Sequence, residues 1–148
     1  MSKVQVCIIG GGPSGLLLSQ LLQLEGIDTI VLEKHSREHV LARIRAGVLE
    51  HGFADLMREA RCGERMDREG EIHHGFFIAH DGVMDRVDLH KYSGGNSVIV
   101  YGQTELTRDL YEASAVNRYP RTCYANTNAC TRSAGSACFP VRSRFRPS

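Results

Sequence analysis

Leucine, isoleucine, lysine, aspartate and glutamate are all missing from the last 35 residues, Ser114 to Ser148. No apolar period of 2 or 3.6 can be read there, so nothing in that stretch predicts an amphipathic helix or a half-buried strand. Charge divides at the same place. The first 113 residues hold all 17 acids against 12 Lys and Arg, a balance of −5, whereas the last 35 hold six Arg and no acid, a balance of +6. Such a contrast marks two regions of different origin or role. Residues 1–113 read as the globular part, and 114–148 as an atypical basic tail, disordered or translated out of frame after an insertion or deletion near codon 113. An arm for nucleic acid, with Tyr119, Tyr124 and Phe139 among the arginines, is the alternative, but basic composition alone is weak support, so nucleic acid is not expected as a partner.

Long hydrophobic runs are missing too. The apolar stretch near the start is broken by Gly10 to Gly15 and again by Ser19 and Gln20, well short of the about 20 residues that span a membrane. No membrane partner is expected, and the glycines fall where the apolar core of a signal peptide would lie. Cysteine is sparse and unpaired in pattern: Cys7, Cys62, Cys123, Cys130 and Cys138 are odd in number and form no CxxC. A disulfide framework or zinc module is disfavoured, and a reducing, cytoplasmic setting fits better. A length of 148 residues suits one domain with a real core.

What is present begins at Val4. Val4, Val6, Ile8 and Ile9 form a short apolar run of the kind buried on both faces of a parallel sheet. It ends in Gly10-x-Gly12-x-x-Gly15. Ser14 to Glu25 then predicts a helix with a stripe of Leu17, Leu18, Leu21, Leu22 and Leu24, closed by Gly26. Ile27 to Glu33 predicts a second, parallel strand reached by a right-handed crossover. The three glycines have separate duties: Gly10 turns the chain off the strand, Gly12 leaves room for a diphosphate, and Gly15 lets the helix sit close to the sheet. Ser14 lies in the first helical turn, whose free N–H groups and partial positive charge suit phosphate. Glu33, at the carboxyl end of the second strand, is placed to accept hydrogen bonds from ribose hydroxyls. Strand, glycine turn, helix and acid in this order describe a dinucleotide site, whereas a glycine turn alone would not.

Beyond Glu33 the chain turns basic. Lys34, His35, Arg37 and His39 are followed by Arg43 and Arg45, which precede a helical pattern including Val48, Leu49, Phe53, Leu56 and Met57. Arginines there offer charge-assisted contacts to phosphate, and a solvated loop is the plainer alternative. His35 and His39 have the i, i+4 spacing of metal ligands but no third partner, so no metal is expected. Glu71 to Ala79 and Val83 to Leu89 predict a hairpin about Asp81-Gly82. Val98 to Tyr101 predicts a further strand, leading through Gly102-Gln103 to a helix from Glu105 to Glu112 with Thr104 as N-cap. Gln103 thereby falls at a strand-to-helix junction, where ligands of open α/β sheets tend to bind.

Several segments in order now carry a likeness: Gly10-Gly-Gly-Pro-Ser-Gly-Leu-Leu-Leu18, Gly26-Ile-Asp, Val31-Leu-Glu33, Arg43-Ile-Arg-Ala-Gly-Val-Leu-Glu50 and Val100-Tyr-Gly-Gln-Thr-Glu105. Residues 1 to about 112 resemble the N-terminal part of the FAD-dependent aromatic hydroxylases of the 4-hydroxybenzoate 3-monooxygenase family. The first motif is general to flavoproteins with two dinucleotide sites, while the last two are far more particular. The resemblance implies a truncated Rossmann-like α/β FAD/NAD(P)-binding fold with a parallel sheet and an added β-hairpin. It implies FAD at the glycine loop, with Gly10, Gly12, Ser14 and Gly15 at the diphosphate and Glu33 at the adenosine ribose. Arg43, Ile44, Arg45, Ala46, Gly47 and Val48 would line the FAD site, and Gln103 would touch its flavin side. Lys34, His35, Arg37 and His39 are candidate contacts for NADPH, the transient reductant. The implied reaction converts 4-hydroxybenzoate and O2 to 3,4-dihydroxybenzoate, in a complete enzyme that is a homodimer. Catalytic residues would lie downstream of this chain, and the chain itself is expected to be inactive. Another FAD- or NAD(P)-dependent oxidoreductase, or a non-catalytic dinucleotide-binding fragment, remains open.

Overall fold

The computed structural model describes residues 4–43, 45–116 and 121–124. In chain order its elements are β1 (Val6–Ile9), α1 (Pro13–Leu24), β2 (Thr29–Glu33), α2 (Arg37–Leu41), β3 (Val48–Glu50), α3 (His51–Glu59) and α4 (Glu64–Glu69). There follow β4 (Glu71–His73), β5 (Gly75–His80), β6 (Val83–Asp88), α5 (Leu89–Tyr92), β7 (Val98–Val100), α6 (Gln103–Val116) and β8 (Arg121–Tyr124).

The expected βαβ unit is present: β1 and β2 pair in parallel with Ile8 opposite Val31, and α1 connects them. The buried side of α1 carries Leu16 and Leu17, which meet Leu106 and Leu110 of α6 in the main core; of the expected stripe, Leu17 is buried, Leu21, Leu22 and Leu24 are half-buried and Leu18 is exposed. Met57, Ala54 and Ala60 from α3 and Met66 from α4 complete that core. Each fully buried leucine contributes about 1.5–3 kcal/mol of hydrophobic stabilisation. A polar clasp also joins α1 to β2, since the buried hydroxyls of Ser19 and Thr29 are 2.6 Å apart. Burial of β1 is narrower than its composition predicts. Ile8 is buried but Ile9 is 88% exposed, because α1 covers one side of this strand and nothing described here covers the other.

On the other side of β2 lies β8, also parallel, with Leu32 opposite Cys123. The three-stranded order is β1-β2-β8, so β2 is central. α6 runs through the compositional boundary at Ala113 to Val116, beyond the Glu112 end predicted from sequence, and β8 lies beyond that boundary. Parallel pairing uses backbone N–H and C=O groups, which leave no trace in composition.

A second sheet is antiparallel, in the order β3-β7-β4. Here two sequence expectations are corrected. Val48 and Leu49 belong to β3, not to a helix, because the segment pairs with β7 and only then turns into α3. The single strand expected from Glu71 to Ala79 is split at His74: β4 pairs with β7, while β5 pairs with β6 in a separate ribbon. The hairpin turn is as expected, with positive φ at Asp81 (46°) and Gly82 (79°), the backbone that Asp-Gly favours between twisted strands. Thr104 is no N-cap either. It lies inside α6, whose first turn includes a bond from the Leu106 N–H to the Gly102 carbonyl, and its hydroxyl donates to the Leu41 carbonyl at 3.3 Å.

Candidate functional site

The glycine turn has the geometry that its spacing predicts. Gly10 leaves β1 at φ +115°, a conformation that other residues rarely adopt, and its N–H still donates to Leu32 of the neighbouring strand at 2.8 Å. Gly15 has no room for a side chain: a Cβ there would overlap the Gly10 carbonyl oxygen and lie 3.3 Å from Ile8 Cγ2. Gly12 is the opposite case, with nothing within 4 Å of an added Cβ. One glycine closes the packing and the other leaves space. α1 starts with Pro13 at its first position, and no side chain caps its N-terminus, so the amides of its first turn are available to an anion.

Glu33 sits across this turn. Its Oε2 accepts the Gly11 N–H at 2.7 Å and its Oε1 accepts the His35 N–H at 2.9 Å. Burial acts to raise its pKa, but the backbone donors of Gly11, His35 and Lys34 outweigh it and hold the carboxyl below the ordinary carboxylate range. An ionised carboxylate has about four lone-pair sites, so each oxygen keeps capacity for a ribose hydroxyl.

Distant segments converge on the same place. Gly12, Glu33, His35, Arg43, Arg45 and Gln103 line one open cleft. All six are residues singled out from the sequence. Pro13, Val40 and Thr107 complete the lining. The Arg43–Gln103 approach is secured at Gly47, whose carbonyl accepts the Tyr101 N–H at 2.7 Å and where a Cβ would come within 2.8 Å of the Tyr101 carbonyl carbon. Tyr101 is itself buried, and its hydroxyl donates to Asp109 Oδ2 at 2.6 Å. Arg65 pairs with Asp109 at 3.4 Å and with Glu105, so α4 and α6 are tied together beside the junction that carries Gln103. Burial, then the bond to Asp109, pushes the Tyr101 phenol well above its ordinary range.

The remaining predicted residues are placed as follows. Ser14 is exposed in the first turn of α1, Ala46 is exposed beside Arg45, and Val48 is an exposed residue of β3. Ile44 lies outside the described residues. Lys34 is exposed after β2. His35 and His39 stack with centroids 4.1 Å apart, and desolvation, followed by electrostatic coupling to His39 and Lys34, lowers the His35 pKa. Arg37 does not line the cleft; its guanidinium lies over the Tyr111 ring at 5.1 Å. Two participants escape sequence reasoning. Gly11, an unspecified position of the motif, is buried against Glu33, where a Cβ would come within 2.9 Å of the Glu33 Cβ. Tyr111 donates its hydroxyl to the Gly11 carbonyl at 3.2 Å from 100 residues away, and no sequence signal links the two.

Can such a cleft hold a flavin dinucleotide? Open space at Gly12, an uncapped helix N-terminus and a carboxylate at the strand end suit the diphosphate and ribose of FAD.

Residues 3–134 match the family described as FAD binding domain. The p-hydroxybenzoate hydroxylase of Acinetobacter baylyi is 45% identical over 111 residues, covering 75% of this chain and 28% of that protein. A flavin-dependent halogenase, armH5, of Armillaria mellea is 60% identical over 68 residues, covering 44% of this chain and 13% of that protein. The chain thus spans well under a third of the length of these relatives. Among solved structures, pqsL of Pseudomonas aeruginosa, a probable FAD-dependent monooxygenase, superposes with a TM-score of 0.70 at 21% identity, over 82% of this chain and 32% of that one. That likeness is one of fold.

Proposed function

Because the chain belongs to the FAD binding domain family, among the FAD-dependent aromatic hydroxylases, we propose that it forms the adenosine and diphosphate side of the FAD site in a hydroxylase that converts 4-hydroxybenzoate to 3,4-dihydroxybenzoate with NADPH and O2. The observation that carries this reading is the single cleft in which Gly12, Glu33, Arg43, Arg45 and Gln103 meet. Flavin bound there supplies the redox chemistry; the chain's own residues supply position and charge. The first-turn amides at Ser14 and Gly15 and the guanidinium groups of Arg43 and Arg45 neutralise the diphosphate. Glu33, kept ionised, accepts the ribose hydroxyls. Gln103 faces the flavin half, where an amide can both donate and accept. His35 lies at the rim as the strongest of the four candidate NADPH contacts, since it alone among them lines the cleft.

Within this reading residues 1–113 are the N-terminal part of the FAD-binding domain, and the acid-free segment 114–148 is an out-of-frame extension. Coding DNA in which no other frame continues a hydroxylase beyond codon 113 refutes that assignment of the tail. The substrate-binding residues lie outside this chain, so the chain is expected to bind FAD without turnover. An equilibrium titration with FAD, read by flavin fluorescence, is run beside an assay of NADPH oxidation with 4-hydroxybenzoate. Binding without stimulated oxidation is the expected result. Absence of FAD binding overturns the cofactor assignment, and stimulated oxidation overturns the inactivity. Likeness to a halogenase over part of the chain favours a second reading, in which the same cradle serves an FAD-dependent halogenation.

A further inference from the structure

Gly11 is held from both sides. Its N–H donates to Glu33 Oε2 at 2.7 Å, and its carbonyl accepts the Tyr111 hydroxyl at 3.2 Å. Tyr111 is 6% exposed and sits in α6, which packs directly on α1. The Arg37 guanidinium covers its ring at 5.1 Å, fixing the ring between α2 and the glycine turn. A peptide group is planar and trans, so the carbonyl of Gly11 and the N–H of Gly12 belong to one rigid unit and point in opposite directions. Anchoring the carbonyl against α6 therefore fixes the direction of the Gly12 N–H, and Gly12 lines the cleft.

From this we propose that Tyr111 is a positioning residue of the glycine turn: its hydroxyl sets the Gly11–Gly12 peptide plane and thereby presents the Gly12 N–H to the diphosphate. The part played toward diphosphate rests on the FAD reading above; the anchoring of the turn does not. The phenol touches no reacting atom. It acts through one backbone unit, and it links the turn to α6 and, through Arg37, to the basic segment after β2.

The test uses Tyr111→Phe in the 148-residue chain, a change that keeps the ring and removes the hydroxyl. In the cofactor-free protein, the NMR signals of the Gly11 carbonyl carbon and the Gly12 amide, the two ends of the anchored peptide unit, are expected to shift, because the carbonyl loses a modest hydrogen bond. Amide hydrogen exchange at Leu110 and Val31 stays as in the parent, which reports that α6 and β2 remain folded. An unchanged Gly11 carbonyl signal overturns the anchoring. In the second measurement the FAD dissociation constant rises about 3- to 10-fold in the variant. Equal FAD affinity in parent and variant overturns the positioning role. A parent chain with no FAD affinity overturns the cofactor reading instead, and the Gly11 carbonyl signal alone then decides whether Tyr111 anchors the turn.

Discussion

Gly12 and Gly15 are three residues apart in one turn, and alanine at each should do opposite things. At Gly15 the added methyl meets the Gly10 carbonyl oxygen and Ile8 Cγ2. Neither can yield cheaply, because Gly10 is tied to Leu32 by a 2.8 Å hydrogen bond and Ile8 belongs to the β1 backbone ladder. Overpacking of this kind costs about 1–3 kcal/mol, which lowers Tm by about 3–12 °C for a domain of this size. At Gly12 the methyl meets nothing within 4 Å, and the backbone there (φ −78°, ψ 179°) is open to any residue. Alanine is a poorer N-cap than glycine by up to about 1 kcal/mol, and the loss of unfolded-state entropy returns about 0.4–1 kcal/mol, so stability should change by less than about 1 kcal/mol. Binding is another matter. If diphosphate approaches the Gly12 backbone, the methyl occupies its place, and an overpacking cost of about 1–3 kcal/mol weakens FAD affinity about 5- to 150-fold. Thermal unfolding and FAD titration on both variants separate the two effects. Gly12→Ala with FAD affinity within about two-fold of the parent, or with a Tm as low as that of Gly15→Ala, would refute the division of labour.

Other residues give independent checks. The Glu33 pKa is lower in the folded chain than in the unfolded one, so its contribution to stability is present above the unfolded value and is lost as pH falls through the folded value. Stability should decline below about pH 4.5, and Glu33→Gln should flatten that acid limb in urea unfolding followed against pH; an identical limb in the variant removes Glu33 from the account. Asp109→Ala strips the acceptor from the buried Tyr101 hydroxyl and is expected to cost about 1–3 kcal/mol, seen as a lower urea midpoint. A midpoint equal to the parent's would show that the Tyr101–Asp109–Arg65 link does not hold α6. Burial, with Asp109 nearby, pushes the Cys62 thiol up to about 11, whereas Cys7 is exposed. Iodoacetamide at about pH 8 should therefore alkylate Cys7 and spare Cys62 until denaturant is added, as read by peptide mass mapping; early modification of Cys62 contradicts its burial.

How far the site was legible follows from the kind of contact that makes it. The β1–α1–β2 unit and Glu33 could be read because each signal acts within a few residues: an apolar run, a glycine that must turn, a leucine stripe, an acid at a strand end. Arg43, Arg45 and Gln103 could be named as candidates, the arginines from their charge ahead of a helical pattern and Gln103 from its strand-to-helix junction, while their assignment to FAD came from motif resemblance. Their meeting depends on Gly47 lying against the Tyr101 backbone, a contact between glycine and main chain that no periodicity encodes. The helical pattern read from Val48 failed for a related reason. Val48 and Leu49 suit either a helix or a strand, and pairing with β7 decides in favour of β3.

Gly11 shows the limit most sharply. A motif written Gly-x-Gly-x-x-Gly treats that position as free, because the pattern records what the ligand and the first helix require. The structure adds two demands from elsewhere in the chain: the Glu33 Cβ and Cγ leave no space for a Cβ, and Tyr111 takes the carbonyl. The first comes from a residue 22 positions away and the second falls on a carbonyl, which every residue type shares, so no composition or spacing rule announces them. The turn is therefore specified twice, locally by its glycines and remotely by α6. The remote half is what fixes the orientation of the one peptide plane that the glycines, being permissive, leave free.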